Sequence, residues 1–197
     1  MGGGSIELWG GLESASQDAA ADPVQRTGHL ERPGDLERIA SLGLRVVRYP
    51  ITWERVAPDG LHCPDWRWAD ERLERLRALG VRPIVTLVNP GGGPRPHGLL
   101  DPGFAQGLAD FAAAVAHRYP WLTDYTPVDA PSVAARHCAL EEHGAGGERP
   151  FLRALVNALC GTALAMRAVR QVNAAARLVQ TEAFTQVHTT PCLKYQA

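Results

Sequence analysis

This chain of 197 residues lacks most of the features that reveal a partner from sequence. Its four cysteines, Cys63, Cys138, Cys160 and Cys192, form no C-x-x-C pair, and their gaps do not match zinc-ligand spacing. Reduced, scattered thiols in a cytoplasmic protein are therefore expected, with no structural metal. Charge is not clustered either: 20 basic residues stand against 21 acidic ones, for a net charge of −1. Without a basic stripe or a block of like charge, neither nucleic acid nor a membrane surface is an expected partner. No apolar run approaches the ~20 residues of a membrane span. The opening Met1-Gly2-Gly3-Gly4-Ser5 has neither the basic nor the apolar region of a secretory signal.

Familiar catalytic and nucleotide-binding motifs are missing as well. Gly10-Gly11-Leu12-Glu13 does not give G-x-G-x-x-G, which weakens a dinucleotide-binding reading. No Lys-Ser/Thr follows Gly91-Gly92-Gly93, so the triplet is a flexible loop and not a P-loop. Ser14 and Ser16 lie outside any G-x-S-x-G context. His97, His137 and His143 fall in polar segments whose spacing resembles no ligand motif, so solvated surface is their expected place. No cofactor is implied.

What the sequence does contain is an internal echo. Leu36-Glu37-Arg38-Ile39-Ala40-Ser41-Leu42-Gly43-Leu44-Arg45-Val46-Val47 returns 37 residues later as Leu73-Glu74-Arg75-Leu76-Arg77-Ala78-Leu79-Gly80-Val81-Arg82-Pro83-Ile84. Each copy carries an apolar helix face, then a glycine where a helix end takes φ > 0, then a short apolar run. Val46-Val47 and Ile84–Val88 read as strands buried on both faces. Helix, glycine and buried strand at this period indicate βα units and a parallel sheet.

Other segments extend the series. Ile6–Gly10 is a candidate first strand, and Asp101–Tyr119 a helix with Asp101 as N-cap and Pro102 at N1. Asp124–Val128 reads as a fourth strand, Phe151–Val172 as a long helix and Arg177–Thr181 as a fifth strand. The pattern suits an open doubly wound sheet or part of a barrel. The expectation is an α/β chain of the (β/α)₈ TIM-barrel type, a single partial domain over residues 1–197 holding five βα units.

In such a barrel, function gathers at the C-terminal ends of the strands. These positions hold Glu13 and Gln17, then Arg48 and Trp53, then Asn89, then Asp129 and Ala130, and finally Glu182. Polar residues at successive strand ends suit a carbohydrate site, and glycoside hydrolysis needs two carboxyl groups flanking the scissile bond. Trp53, Trp66 and Trp68 could serve as sugar platforms, but tryptophans near helix starts usually pack into the core, which is where they are expected.

The segments Leu8-Trp9-Gly10 through Gln17, Arg48-Tyr49-Pro50-Ile51-Thr52-Trp53-Glu54-Arg55, and Thr126-Pro127-Val128-Asp129-Ala130-Pro131 resemble family 1 glycoside hydrolases. The chain looks most like the bacterial proteins in which such a domain precedes a dTDP-4-dehydrorhamnose reductase-like domain. The resemblance implies an O-glycosyl hydrolase ancestry, a carbohydrate ligand, and sugar contacts by Gln17, Arg48, Asn89, Asp129 and Glu182. It implies that Arg48 holds the nucleophile carboxylate; the ordinary alternative is an arginine paired with Glu13 or Glu54.

Departures from the family's pattern are equally informative. The family's acid/base glutamate is here Ala130, its neighbouring asparagine is Asp129, and the histidine ending strand three is Asn89. The nucleophile belongs to strand seven, beyond the five strands read here. Asp129 is a poor substitute, because adjacent strand residues point to opposite faces and retaining chemistry wants its carboxyl groups about 5–5.5 Å apart. The chain as it stands is therefore expected not to cleave glycosides, and Glu182 is expected to be a sugar contact. The alternative is a non-catalytic module that binds sugars or nucleotide sugars beside a reductase. Five strands would leave exposed sheet edges, which a further domain or a second copy would have to cover.

Overall fold

In the computed structural model, residues 7–12, 27–90, 93, 98–143 and 148–183 are described. Five strands form one parallel sheet in the order β1-β2-β3-β4-β5. They are β1 (Trp9–Gly11), β2 (Val46–Pro50), β3 (Arg82–Val88), β4 (Asp124–Val128) and β5 (Arg177–Leu178). Between them run α1 (Asp35–Ser41), the short α2 (Trp53–Val56), α3 (Arg67–Ala78), α4 (Phe104–Arg118), α5 (Pro131–His143) and α6 (Glu148–Val172). This is the expected partial (β/α) barrel, with each strand paired to its neighbour in sequence.

The echo is structural. Gly43 and Gly80 follow α1 and α3 with φ of 79° and 68°, the left-handed turn that a Cβ would oppose. The register then aligns Arg48 with Ile84, Ile84 with Asp124, and Asp124 with Arg177. All residues of β2 and β4 are buried, as are those of β3 after Arg82. Both faces of these strands are thus covered, as their continuous apolar runs require. The edges differ: Trp9 on β1 is 53% exposed and Leu178 on β5 is 42% exposed.

Several boundaries depart from the sequence expectations. Strand β1 runs Trp9–Gly11 and not Ile6–Gly10, and Ile6 lies outside the described residues. Strand β5 stops at Leu178: Val179 still donates to the Tyr125 carbonyl at 2.9 Å, but Pro127 opposite has no N–H to return, and the Val179 carbonyl accepts instead from the Thr126 hydroxyl at 2.6 Å. Asp101 does not cap α4. Its carboxylate instead accepts from the Gly103 N–H at 2.6 Å, in a turn preceding the helix at Phe104. His137 and His143 belong to α5 and not to a loop, while His97 lies outside the described residues. Among the described residues Cys63, Cys138 and Cys160 form no disulfide.

Long and apolar enough to cross a membrane by length and composition, α6 instead turns a face of small residues inward. Ala154, Ala158, Gly161, Thr162 and Ala165 are buried where the helix packs on α4 and β4. The segment ahead of α1 is fastened by His29, which is buried and contacts the Asp35 carboxylate at 3.0 Å and the Tyr49 hydroxyl at 2.8 Å. Its hydrogen bond holds the Asp35 carboxyl below the usual carboxylate range.

The tryptophans go to the core, as expected. Trp53 is buried and stacks on Phe111 of α4 with centroids 6.1 Å apart, and Trp66 stacks on the same ring at 6.0 Å. Gly107 is the helix position facing Trp53, and a Cβ placed there would overlap the indole ring. Gly107→Ala should therefore destabilise the fold by roughly 1–3 kcal/mol through overpacking, outweighing the ~1 kcal/mol that alanine gains in a helix. Urea denaturation would read the sign directly, and a more stable variant would show that the ring has room to move.

Candidate functional site

Arg48 lies within β2, not after it, and is 7% exposed. Its side chain runs to the C-terminal end of the sheet, where Nη1 donates to Asp129 Oδ1 and, at 2.7 Å, to Thr181 Oγ1. The Thr181 hydroxyl donates in turn to the same Asp129 oxygen at 2.6 Å. Three side chains from β2, the end of β4 and the segment after β5 thus close a triangle around one carboxylate oxygen. Asp129, 8% exposed, is fixed through its backbone too, its N–H donating to the Val88 carbonyl of β3 at 2.9 Å. Beside that carbonyl, Asn89 is half-buried.

The chain then turns sharply into α5. Ala130 has φ of 41°, and among the described residues it is the non-glycine with positive φ. Left-handed backbone costs an ordinary residue about 1–2 kcal/mol and persists only where the surroundings fix it. Here they do so from both sides. Asp129 is held by Thr181, and Ser132 is held by the next residue, Glu182. The Glu182 carboxylate accepts from the Ser132 hydroxyl at 2.6 Å, the Ser132 N–H at 3.0 Å and the Ala183 N–H at 2.9 Å. Ala130 has no side-chain oxygen to cap α5, so a neighbouring strand end supplies both the acceptor and the negative charge that a helix start favours.

Burial pushes Glu182 upward, but the hydrogen bonds from Ser132 and Ala183 outweigh it and hold the carboxyl below its ordinary value of 4.5. A carboxylate kept ionised in this way is a poor general acid. Among the described residues no group of three or more histidines, cysteines, aspartates and glutamates could hold a metal ion.

The structure therefore brings Arg48 and Asp129 into direct contact and sets Asn89 and Glu182 beyond the ends of β3 and β5, on either side of β4. Gln17 and Glu13 lie outside the described residues. Thr181 and Ser132 complete the arrangement but carry no motif that would have singled them out. The one sequence hint is that Ser132 follows Pro131, a residue pair typical of a helix start.

Two outcomes follow for this turn. Ala130→Gly should raise stability by up to about 1 kcal/mol, since glycine adopts the left-handed conformation without steric cost. A loss of stability by thermal unfolding would show that the alanine methyl packs usefully. Because Glu182 titrates below 4.5 when folded, its contribution is complete above that pH and fades as pH falls through the lower folded value. Glu182→Gln should therefore cost about 1 kcal/mol at neutral pH and flatten the acid limb of a stability–pH curve, the difference from the parent vanishing in acid.

No family model matches the chain. Klotho of Homo sapiens is 36% identical over 80 residues, which cover 39% of this chain and 7% of that protein. Coniferin beta-glucosidase of Pinus contorta is 32% identical over 78 residues, covering 38% of this chain and 14% of that one. Among solved structures, the beta-glucosidase of Thermotoga maritima in complex with cyclophellitol superposes with a TM-score of 0.71 at 20% identity, covering 85% of this chain and 42% of that one. The AHE enzyme of Alicyclobacillus herbarius gives a TM-score of 0.65 at 22% identity, covering 76% and 36%. The chain spans less than half the length of each of these proteins. Its fold is that of part of a (β/α) barrel of the kind seen in family 1 beta-glucosidases.

Proposed function

We propose that this chain is a glycosidase-derived carbohydrate-binding domain that does not cleave glycosides as it stands. One observation carries the reading. At the end of β4, where the resemblance puts the acid/base, stands Ala130, and the carboxylate on either side of it is already engaged, Asp129 by Arg48 and Thr181 and Glu182 by Ser132. Among the described residues, neither carboxyl group at these two strand ends is free of a protein partner, as an acid for the leaving group would have to be. The strand-end location and the half-buried Asn89 support a sugar ligand, as does the likeness in fold to a beta-glucosidase described in complex with deoxynojirimycin.

Association with a sugar-nucleotide reductase-like domain and cytoplasmic residence belong to the same proposal, and both rest on the sequence alone. The carbohydrate's identity would emerge from calorimetry with methyl glycosides.

The expected results are measurable heat with a methyl β-glycoside and no release of nitrophenol from nitrophenyl β-glycosides. Asn89→Ala should leave stability within about 1 kcal/mol of the parent, as a half-buried polar residue at a strand end allows. It should weaken sugar binding about five- to tenfold, the value of one hydrogen bond. Turnover of the nitrophenyl glycoside would overturn the inactive reading, and absence of heat with every glycoside would overturn the binding reading.

A further inference from the structure

We propose that Asp129 is the built-in counter-ion of Arg48, filling an anion subsite that the Arg48 guanidinium and the Thr181 hydroxyl would otherwise offer to a small carboxylate. With Asp129 in place, the strand ends take neutral ligands and reject anionic ones. Only the neutral-sugar half of this statement rests on the function proposed above.

The geometry has the form of a filled receptor. Two donors, Arg48 Nη1 from β2 and Thr181 Oγ1 from the segment after β5, converge on Asp129 Oδ1, with the hydroxyl 2.6 Å away. The donors also touch each other at 2.7 Å, so each helps hold the other in place. Arg48 and Asp129 are 7% and 8% exposed, so solvent screens their attraction little. A charge pair this buried is costly to break, because the partner left behind has lost its water and gained nothing. An external anion would have to displace a carboxylate tethered by its own backbone, whose N–H is bound to Val88. It would also have to approach Glu182, ionised on the next strand end. Among the described residues at the ends of β4 and β5, Arg48 meets two negative charges, Asp129 and Glu182, and that balance opposes phosphate and diphosphate groups.

Truncation to Asp129→Ala removes one carboxylate and leaves its two donors aimed at the vacated space. Formate has the shape and charge of the removed group. In chloride the variant should melt lower than the parent by on the order of ten degrees. In formate at equal ionic strength it should regain at least half of that loss, saturably. The parent, and Asp129→Ala combined with Arg48→Leu, should show no gain in formate over chloride. Recovery missing from the single variant, or equal in all three proteins, overturns the assignment. If the single variant does not fold in chloride, its refolding yield in formate against chloride replaces the melting shift: a higher yield in formate supports the assignment, and an equal yield overturns it.

Calorimetry with thymidine diphosphate and with methyl β-glucoside separates this inference from the proposed function. Diphosphate binding by the parent protein would refute the exclusion of anions. Formate rescue together with silence toward every glycoside would leave the counter-ion standing and remove the sugar site.

Discussion

A guanidinium taken almost fully out of water costs several kcal/mol unless charge and hydrogen bonds replace its hydration. Arg48 is placed in that position by the burial of β2, and the rest of the strand-end architecture answers to it. Asp129 must sit where the arginine reaches, so the chain cannot leave β4 in an ordinary extended path. Thr181 must reach the same oxygen, so the segment after β5 is drawn in against β4 beyond the last ladder bond, which Val179 makes to Tyr125. The left-handed Ala130 and the link between Glu182 and Ser132 follow from these two placements.

The same constraint bears on chemistry. A hydrolytic pair needs one carboxyl group able to give a proton and another free to attack or to activate water. At the ends of β4 and β5 the carboxylates accept hydrogen bonds from the protein itself, and the bonds of one also organise a helix start. Each carboxylate is committed to a structural contact. The arrangement resembles a catalytic site in its residue types and differs from one in what those residues are free to do.

Sequence reasoning finds the repeating unit because it is local. Gly43 and Gly80 mark two helix ends at a fixed period, and β4 is legible to the residue because Asp124–Val128 lies between clear turns. The Arg48–Asp129 pair is not legible, since its members lie 81 residues apart and only the sheet register unites them. The resemblance points instead to the nucleophile carboxylate as the arginine's partner, with Glu13 or Glu54 as the ordinary alternative. Helix α5 escapes sequence reasoning because Pro131–His143 draws its buried positions mainly from alanine and shows no apolar stripe. Strand β5 reads too long, because its limit is set from across the ladder by Pro127, which has no N–H to give the Val179 carbonyl.

The strand order carries a consequence for how the chain assembles. Because β1 through β5 lie side by side in the order of synthesis, no strand must wait for a distant partner to be made. Each helix–strand unit leaving the ribosome finds its docking edge already in place, and sequence-local contacts of this kind favour rapid folding. The ion triangle at the strand ends is the exception, since Thr181 completes it only after β1 to β5 have all been laid down. It would lock the sheet last, as a closing step and not a nucleus.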